Sequence, residues 1–352
     1  MGARPGIAVV GCGTIATFQH LPHLARLRSA RLVAAADPDP AARARVARRF
    51  GIPALADAAE LVARPDVDAL VLASPTHCHA EHALLAIAAG KPFYLEKPLA
   101  ASAEDGRRVV AASAASGVAG WLGFNYRLQP IHLAARALVA DGALGELIAV
   151  RTLFGERLPD GPAAGWRARR ESGGGVWLDL ASHHVDLVRW LTGDEIVAVA
   201  AAEVASLRRE HDRAAASFVL ASGTVAHGLF LYGSGPVDRV ELVGRSAILV
   251  ADRLRGTLRL ERPRRRGYGV RSRRAGSWSA LAGLRLRRWV QPSWEPSFGR
   301  AMGAFARAVG GGARTATPLA TLADGAASLA VVLAAERAAR DGRPCDVTPL
   351  GG

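Results

Sequence analysis

The chain has 352 residues, 45 basic and 31 acidic side chains, a net charge of +14, and half of its residues hydrophobic. That length exceeds the usual single domain and predicts two, each with its own core. Arginines, glycines and acids interrupt every apolar stretch before the roughly 20 residues that a membrane-spanning helix needs, so no transmembrane segment is expected.

The opening Met-Gly-Ala-Arg-Pro-Gly lacks the apolar run of a secretory leader, so export is not expected. Cys12, Cys78 and Cys345 are too few and too scattered for a disulfide framework or a Cys-x-x-Cys metal site, which fits a reducing cytoplasm.

Residues 6–122 alternate short apolar or β-branched runs with longer alanine-rich helical patterns, the signature of a doubly wound parallel sheet with crossover helices. Strands are predicted near 6–10, 31–36, 68–73, 92–95 and 118–122, with helices near 15–28, 40–50, 77–89 and 103–116. From 146 to 261 the pattern becomes alternating strands, among them Ile196 to Val204, Ala215 to Leu220, Val225 to Tyr232 and Arg239 to Leu242, which predict a large, mostly antiparallel open sheet. An apolar helix, about Val176 to Leu191, interrupts it, and two more follow near 297–309 and 319–340, covering one face. The fold class is therefore α/β followed by α+β, with domains at 1–122 and 123–352.

Residues 253–288 carry 13 arginines against the single acid Glu261, interleaved with Tyr268 and Trp278. Basic residues alone supply sequence-independent phosphate affinity, and no recognised nucleic-acid motif accompanies them, so nucleic acid is not the expected partner. The segment reads as a solvated insertion. A third option has its arginines meeting an anionic substrate such as a sugar nucleotide, or Trp278 to Val290 lying on an acidic membrane surface.

The first predicted strand runs straight into Gly11-Cys-Gly13-Thr14-Ile15-Ala16 and then a helix. In that context the first glycine permits a tight turn, the second lets the backbone approach a pyrophosphate, and the small third residue lets helix and strand pack closely. Asp37 ends the next strand, where an acid accepts bonds from ribose hydroxyls. It would repel a 2′-phosphate, so NAD is expected over NADP, although Arg43 and Arg45 leave NADP possible. Asp37 is also read as a cap for the helix starting near Pro40.

Only Lys91 and Lys97 are lysines. In an arginine-rich chain a retained lysine points to chemistry or to a tight steric demand, because a desolvated ammonium can be tuned near neutrality and a guanidinium cannot.

Residues 68–99 contain Ser74-Pro75-Thr76-His77-Cys78-His79 and Glu96-Lys97-Pro98, and closely resemble the Gfo/Idh/MocA family of glucose-fructose oxidoreductase and inositol dehydrogenase type. The resemblance continues in Gly123-Phe-Asn125-Tyr-Arg127, in Trp166-Arg167, and in Gly173-Gly-Gly-Val-Trp-Leu-Asp179-Leu-Ala-Ser-His183-His184. It implies a Rossmann domain, a cofactor wall of Ser74, Pro75, Thr76, His79, Glu96 and Lys97, and a cis peptide before Pro98. It also implies a catalytic set of Lys97, Asp179 and His183, and substrate contacts from Asn125, Arg127, Trp166 and Arg167. Spacing of i, i+4 puts Asp179 on the face of His183 rather than His184.

On this reading His183 is the general base, Asp179 orients its ring or stabilises its charged form, and Lys97 stabilises alkoxide. The arginines suit a carboxylate or phosphate, and an interdomain salt bridge is their alternative role. His77 and His79 fit capping or nicotinamide contact better than a metal site, so no metal is expected. The expected activity is hydride transfer to or from a secondary alcohol or ketone of a sugar, cyclitol or sugar derivative, with anionic and nucleotide-linked sugars among the candidates. The alternatives are oxidative cleavage of a glycosidic bond and a non-catalytic cofactor sensor. An exposed sheet face predicts a homodimer or homotetramer.

Overall fold

The structure, a computed structural model, describes residues 4–157, 165–167, 169–206, 209–264, 269–275, 295–311 and 319–350. The first sheet is built from β1 (Gly6–Val10), β2 (Arg31–Ala36), β3 (Ala54–Leu55), β4 (Ala69–Leu72), β5 (Phe93–Leu95) and β6 (Gly120–Leu122). Its crossover helices are α1 (Leu21–Arg26), α2 (Pro40–Phe50), α3 (Ala58–Val62), α4 (His79–Ala88) and α5 (Ala103–Ser116). β1 and β4 are buried along their whole length, as the unbroken apolar runs require when helices cover both faces.

α6 (Pro130–Ala140) leads into the second sheet, made of β7 (Leu147–Glu156), β8 (Ile196–Ser206), β9 (Arg209–Leu220), β10 (Val225–Tyr232), β11 (Val237–Gly244), β12 (Ile248–Asp252), β13 (Thr257–Pro263) and β14 (Val270–Arg274). α7 (Ser182–Thr192) interrupts it, and α8 (Pro296–Val309), β15 (Ala320–Thr321), α9 (Leu322–Asp341) and β16 (Cys345–Asp346) end the chain. The order is β14-β13-β12-β11-β7-β10-β9-β8-β16, antiparallel except where β10 runs parallel to β7. β10 alternates buried and exposed residues, the mark of a sheet with one covered face.

The first sheet has the order β15-β6-β5-β4-β1-β2-β3. The chain returns to it late: β15 pairs antiparallel with β6, and Ala301, Met302 and Phe305 of α8 pack into the core beside Ile7, Val9 and Val71. The predicted helix at 319–340 therefore starts later, at Leu322, because Thr321 and Asp324 form a reciprocal capping box there.

The basic segment is not one solvated insertion. Residues 253–256 turn, and Thr257–Pro263 form β13 of the second sheet, with Leu258 and Leu260 buried. Tyr268 and Trp278 to Val290 lie outside the described residues.

Candidate active site

The strand-to-helix turn after β1 opens a cleft of about 560 Å³ lined by Gly11, Gly13, Thr14, Ile15 and Asp37 on one side. Gly11 takes φ +91°, and a Cβ there would lie 2.7 Å from the carbonyl oxygen of Ala73. At Gly13 the protein itself sets no such limit, since a Cβ would meet nothing within 4 Å. A residue whose bareness serves no internal contact, on a turn facing a cleft, fits the close approach of a pyrophosphate. Ala16 is buried and lines no part of the cleft; its small size serves helix packing.

Both Asp37 oxygens accept backbone amides, from Cys12 at 2.7 Å and from Asp39 at 2.8 Å, which fixes the carboxylate at the cleft edge. Asp37 does not cap α2. Asp39 does so, accepting from Ala41 and Ala42, because it is the residue directly before the first helical turn. Arg43 is turned back and donates to the carbonyls of Asp37 and Pro38 at 2.9 and 2.8 Å. Burial, and then the Asp37 charge, push the Cys12 thiol up to about 12, so it is no reactive thiolate.

The end of β4 and of β5 form the next wall, where Ser74, Pro75, His79, Glu96 and Lys97 line the cleft. The His79 ring nitrogens lie 2.7 Å from the Pro98 carbonyl and 3.0 Å from that of Ser74; the buried ring sits between the two loops, and in its neutral form its single N–H donates to one of these carbonyls. Burial lowers its pKa to about 4. Glu96 accepts from His20 at 2.7 Å, and the Lys97–Pro98 peptide is cis. Thr76 does not reach the cleft: it is buried against Gly173, where a Cβ would come within 2.4 Å of it. Lys91, the other retained lysine, donates to the carbonyls of Val62 and Arg64 behind α3, a structural clasp.

Across the cleft the second domain brings up Asp179, on a π-type turn (Trp177–Ala181) that precedes α7. Lys97 donates to Asp179 twice, to Oδ1 at 2.6 Å and to the carbonyl oxygen at 2.7 Å. Tyr232, at the end of β10, donates to the other carboxylate oxygen, and Arg167 Nε lies 3.3 Å away. Burial alone would raise this carboxyl, but Lys97 and then Arg167 outweigh it and hold Asp179 well below the usual carboxylate range.

Asp179 therefore does not orient His183, and no hydrogen bond joins them. The wider π-type turn alters the i, i+4 phase of a regular helix, and the carboxylate is already engaged by Lys97 and Tyr232. His183 lies on the cleft, stacked on Tyr126, and its buried Nδ1 has no hydrogen-bond partner among the described residues. Burial and then the Lys97 ammonium push its pKa well below the ordinary histidine value, leaving a neutral ring. His184 points the other way, hydrogen-bonded to Thr152.

Asn125, Trp166 and Arg167 line the cleft, with Asn125 donating to Ser297 at 2.8 Å and the Arg167 guanidinium over the Trp166 ring. Arg127 does not. It is buried in a two-pronged ion pair with Asp186, at 2.8 and 2.5 Å, and reaches Asp324 at 3.0 Å, so it forms a salt bridge, but one within residues 123–352 rather than between the domains. Tyr126, Glu156, Arg253 and Glu295 also line the cleft and were not singled out by sequence reasoning, nor was Tyr232. The alternation of β10 places Tyr232 on the covered face, but nothing local names Asp179 as its partner.

Among the described residues no group of three or more His, Cys, Asp or Glu side chains is placed to hold a metal, and no helix is long and apolar enough to cross a membrane.

A glycine turn and an ion-paired lysine at the strand ends of a doubly wound sheet, facing a neutral histidine on a second sheet domain, define a two-domain dinucleotide-binding protein. Residues 6–124 match the oxidoreductase family with an NAD-binding Rossmann fold, and residues 132–250 match the GFO/IDH/MocA C-terminal domain. Over 155 residues the chain is 41% identical to a 1,5-anhydro-D-fructose reductase from Ensifer adhaerens, covering 43% of this chain and 46% of the relative. It is 30% identical over 248 residues to a dTDP-3,4-didehydro-2,6-dideoxy-alpha-D-glucose 3-reductase from Saccharopolyspora spinosa, 70% of this chain and 74% of that one. The solved structure of an aldose-aldose oxidoreductase from Caulobacter crescentus, complexed with glycerol, is 26% identical with a TM-score of 0.82, over 98% of this chain and 100% of that one. The chain spans about half the length of most of the curated relatives it matches. It belongs to the Gfo/Idh/MocA family.

Proposed function

We propose that this protein transfers hydride between a nicotinamide dinucleotide and a secondary alcohol or ketone of a sugar, cyclitol or sugar derivative. The observation that carries this reading is the meeting of Lys97 and Asp179, from different domains, in one cleft with the glycine turn and His183. The nicotinamide, when bound, supplies the hydride acceptor or donor. An ammonium has three N–H donors, and Lys97 uses two on Asp179, so one remains for the substrate oxygen, where it stabilises developing alkoxide. His183, neutral and open to the cleft, takes the hydroxyl proton on oxidation and returns it on reduction. Asp179 aims the ammonium rather than the imidazole.

Gly11 to Ile15 hold the pyrophosphate on this reading, and Asp37 accepts the ribose hydroxyls, which favours NAD. Arg43 sets a cation on the same turn and keeps NADP as a second cofactor. Asn125, Trp166 and Arg167 contact the sugar, with the half-exposed Arg167 fork suited to a carboxylate or phosphate. Val219, Val225 and Leu229 share the outer face of the second sheet by register, each 40% exposed, and this face pairs subunits in a homodimer or homotetramer.

A panel of inositols, hexoses, uronates and sugar nucleotides, assayed with NAD and NADP by absorbance of the reduced cofactor, tests the proposal, with Lys97→Met and His183→Asn as controls. Turnover lost in both variants supports it. Cofactor binding with no turnover of any substrate would point to a sensor, and bond cleavage without net reduced cofactor to the glycosidic route.

A further inference from the structure

The imidazole of His183 rests on a ring that carries a fixed cation. Tyr126, in the short turn Asn125–Leu128 before α6, lies nearly parallel to it, with 4.2 Å between ring centroids and 14° between planes. The guanidinium of Arg253 stands over the same tyrosine ring, 4.4 Å from its centroid. Arg253 follows β12 directly. Asp238 of β11 accepts from its Nε at 2.6 Å, and Glu295, just before α8, accepts from its Nη1 at 2.9 Å. Asp238 in turn lies 3.4 Å from His184 Nε2, with both side chains fully buried. The arginine is therefore held from three directions, by two acids and one aromatic face.

A cation on a tyrosine face is attracted by the ring quadrupole, whereas a second cation formed on the neighbouring imidazole is repelled through a poorly screened interior. Of the other groups near His183, Lys97 comes from the end of β5, and Asp179 opposes it from the π-type turn while engaged with Lys97 and Tyr232; His184, next on α7, is turned away to Thr152. Tyr126 stays protonated, because burial raises its phenol well above its ordinary value.

We propose that Arg253 is a positioning residue that acts through Tyr126: it holds the tyrosine ring against His183 and disfavours a proton on that imidazole, so that the base is kept free to receive one. This rests on the reading of His183 as general base. The lowered pKa of His183, which burial and Lys97 dominate and to which Arg253 also contributes, agrees in direction.

The test follows the imidazole itself. The full chain, labelled with ¹⁵N-histidine, is titrated by NMR with and without NAD, the His183 resonances being assigned from His183→Asn. Arg253→Gln raises the His183 midpoint by about one pH unit or more, while Arg253→Lys, which keeps the charge, leaves it in place. If Arg253→Gln does not fold because Asp238 is left buried and unpaired, the double variant Arg253→Gln/Asp238→Asn removes that acid and must show the rise relative to Asp238→Asn alone. An unchanged midpoint on removing the charge, or an equal rise in Arg253→Lys, overturns the proposal. Full turnover by His183→Asn would instead overturn the base assignment and leave the titration result standing.

Discussion

Lys97→Arg keeps the charge at the centre of the cleft and changes only the donor geometry. One tetrahedral nitrogen now serves two acceptors of the same residue, Asp179 Oδ1 at 2.6 Å and Asp179 O at 2.7 Å, with its third N–H left over. A guanidinium is planar and longer and spreads its donors over three nitrogens, in a space where the lysine side chain is only 13% exposed. It cannot make both bonds and still present a donor to a substrate oxygen. Loss of one such donor to a developing oxyanion lowers kcat about 10²- to 10³-fold, or about 2.7–4 kcal/mol. Lys97→Met removes the cation as well and leaves Asp179 with Tyr232 and Arg167. Stability then falls by about 3 kcal/mol, the lower end for breaking a buried pair, because those two partners remain. The assays are kcat on the most active polyol of the panel, NADH affinity by fluorescence titration, and urea unfolding. Expected are a collapsed kcat in both variants, little change in NADH affinity, and lowered stability in Lys97→Met. Full turnover by Lys97→Arg would refute the argument from lysine scarcity and donor geometry together.

Gly13→Val leaves the thermal midpoint in calorimetry where it is, since its Cβ meets nothing within 4 Å, yet abolishes NADH binding; undiminished binding would remove the pyrophosphate from this turn. Asp37→Ala weakens NADH about 10- to 100-fold, the worth of hydrogen bonds to a charged acceptor, and NADPH less. Equal weakening of both would end the ribose assignment. Arg127→Met strands Asp186 in the interior with Arg189 4.0 Å away, and destabilises the protein by about 3–5 kcal/mol in urea unfolding while kcat/KM of the folded fraction holds. A large fall in kcat/KM at intact stability would restore Arg127 as a substrate contact.

Much of the first domain was legible because its information is local. The turn Gly11 to Ala16, the buried run of β1 and the acid at the end of β2 fall within a few dozen residues and obey short-range rules of backbone conformation and periodicity. The helix carrying Asp179 and His183 was legible as a helix, but its first turn is π-type, which no hydrophobic period reveals, and so the pairing inferred from i, i+4 spacing failed. The start of α9 was missed by a few residues because its capping box, not the apolar pattern, sets the boundary.

Composition and spacing by themselves determined that this chain builds a dinucleotide fold and brings an unusual lysine to the end of a strand. Which arginine serves the cleft was decided only by tertiary structure. Arg127 sits in a family-like motif yet is sealed against Asp186 and Asp324, while Arg253, first of a run that reads as solvated, is drawn under the site by Asp238, Tyr126 and Glu295. The two side chains are chemically identical. A guanidinium goes where counter-charges and a ring face compensate its loss of water, and those partners come together only when distant strands and helices pack.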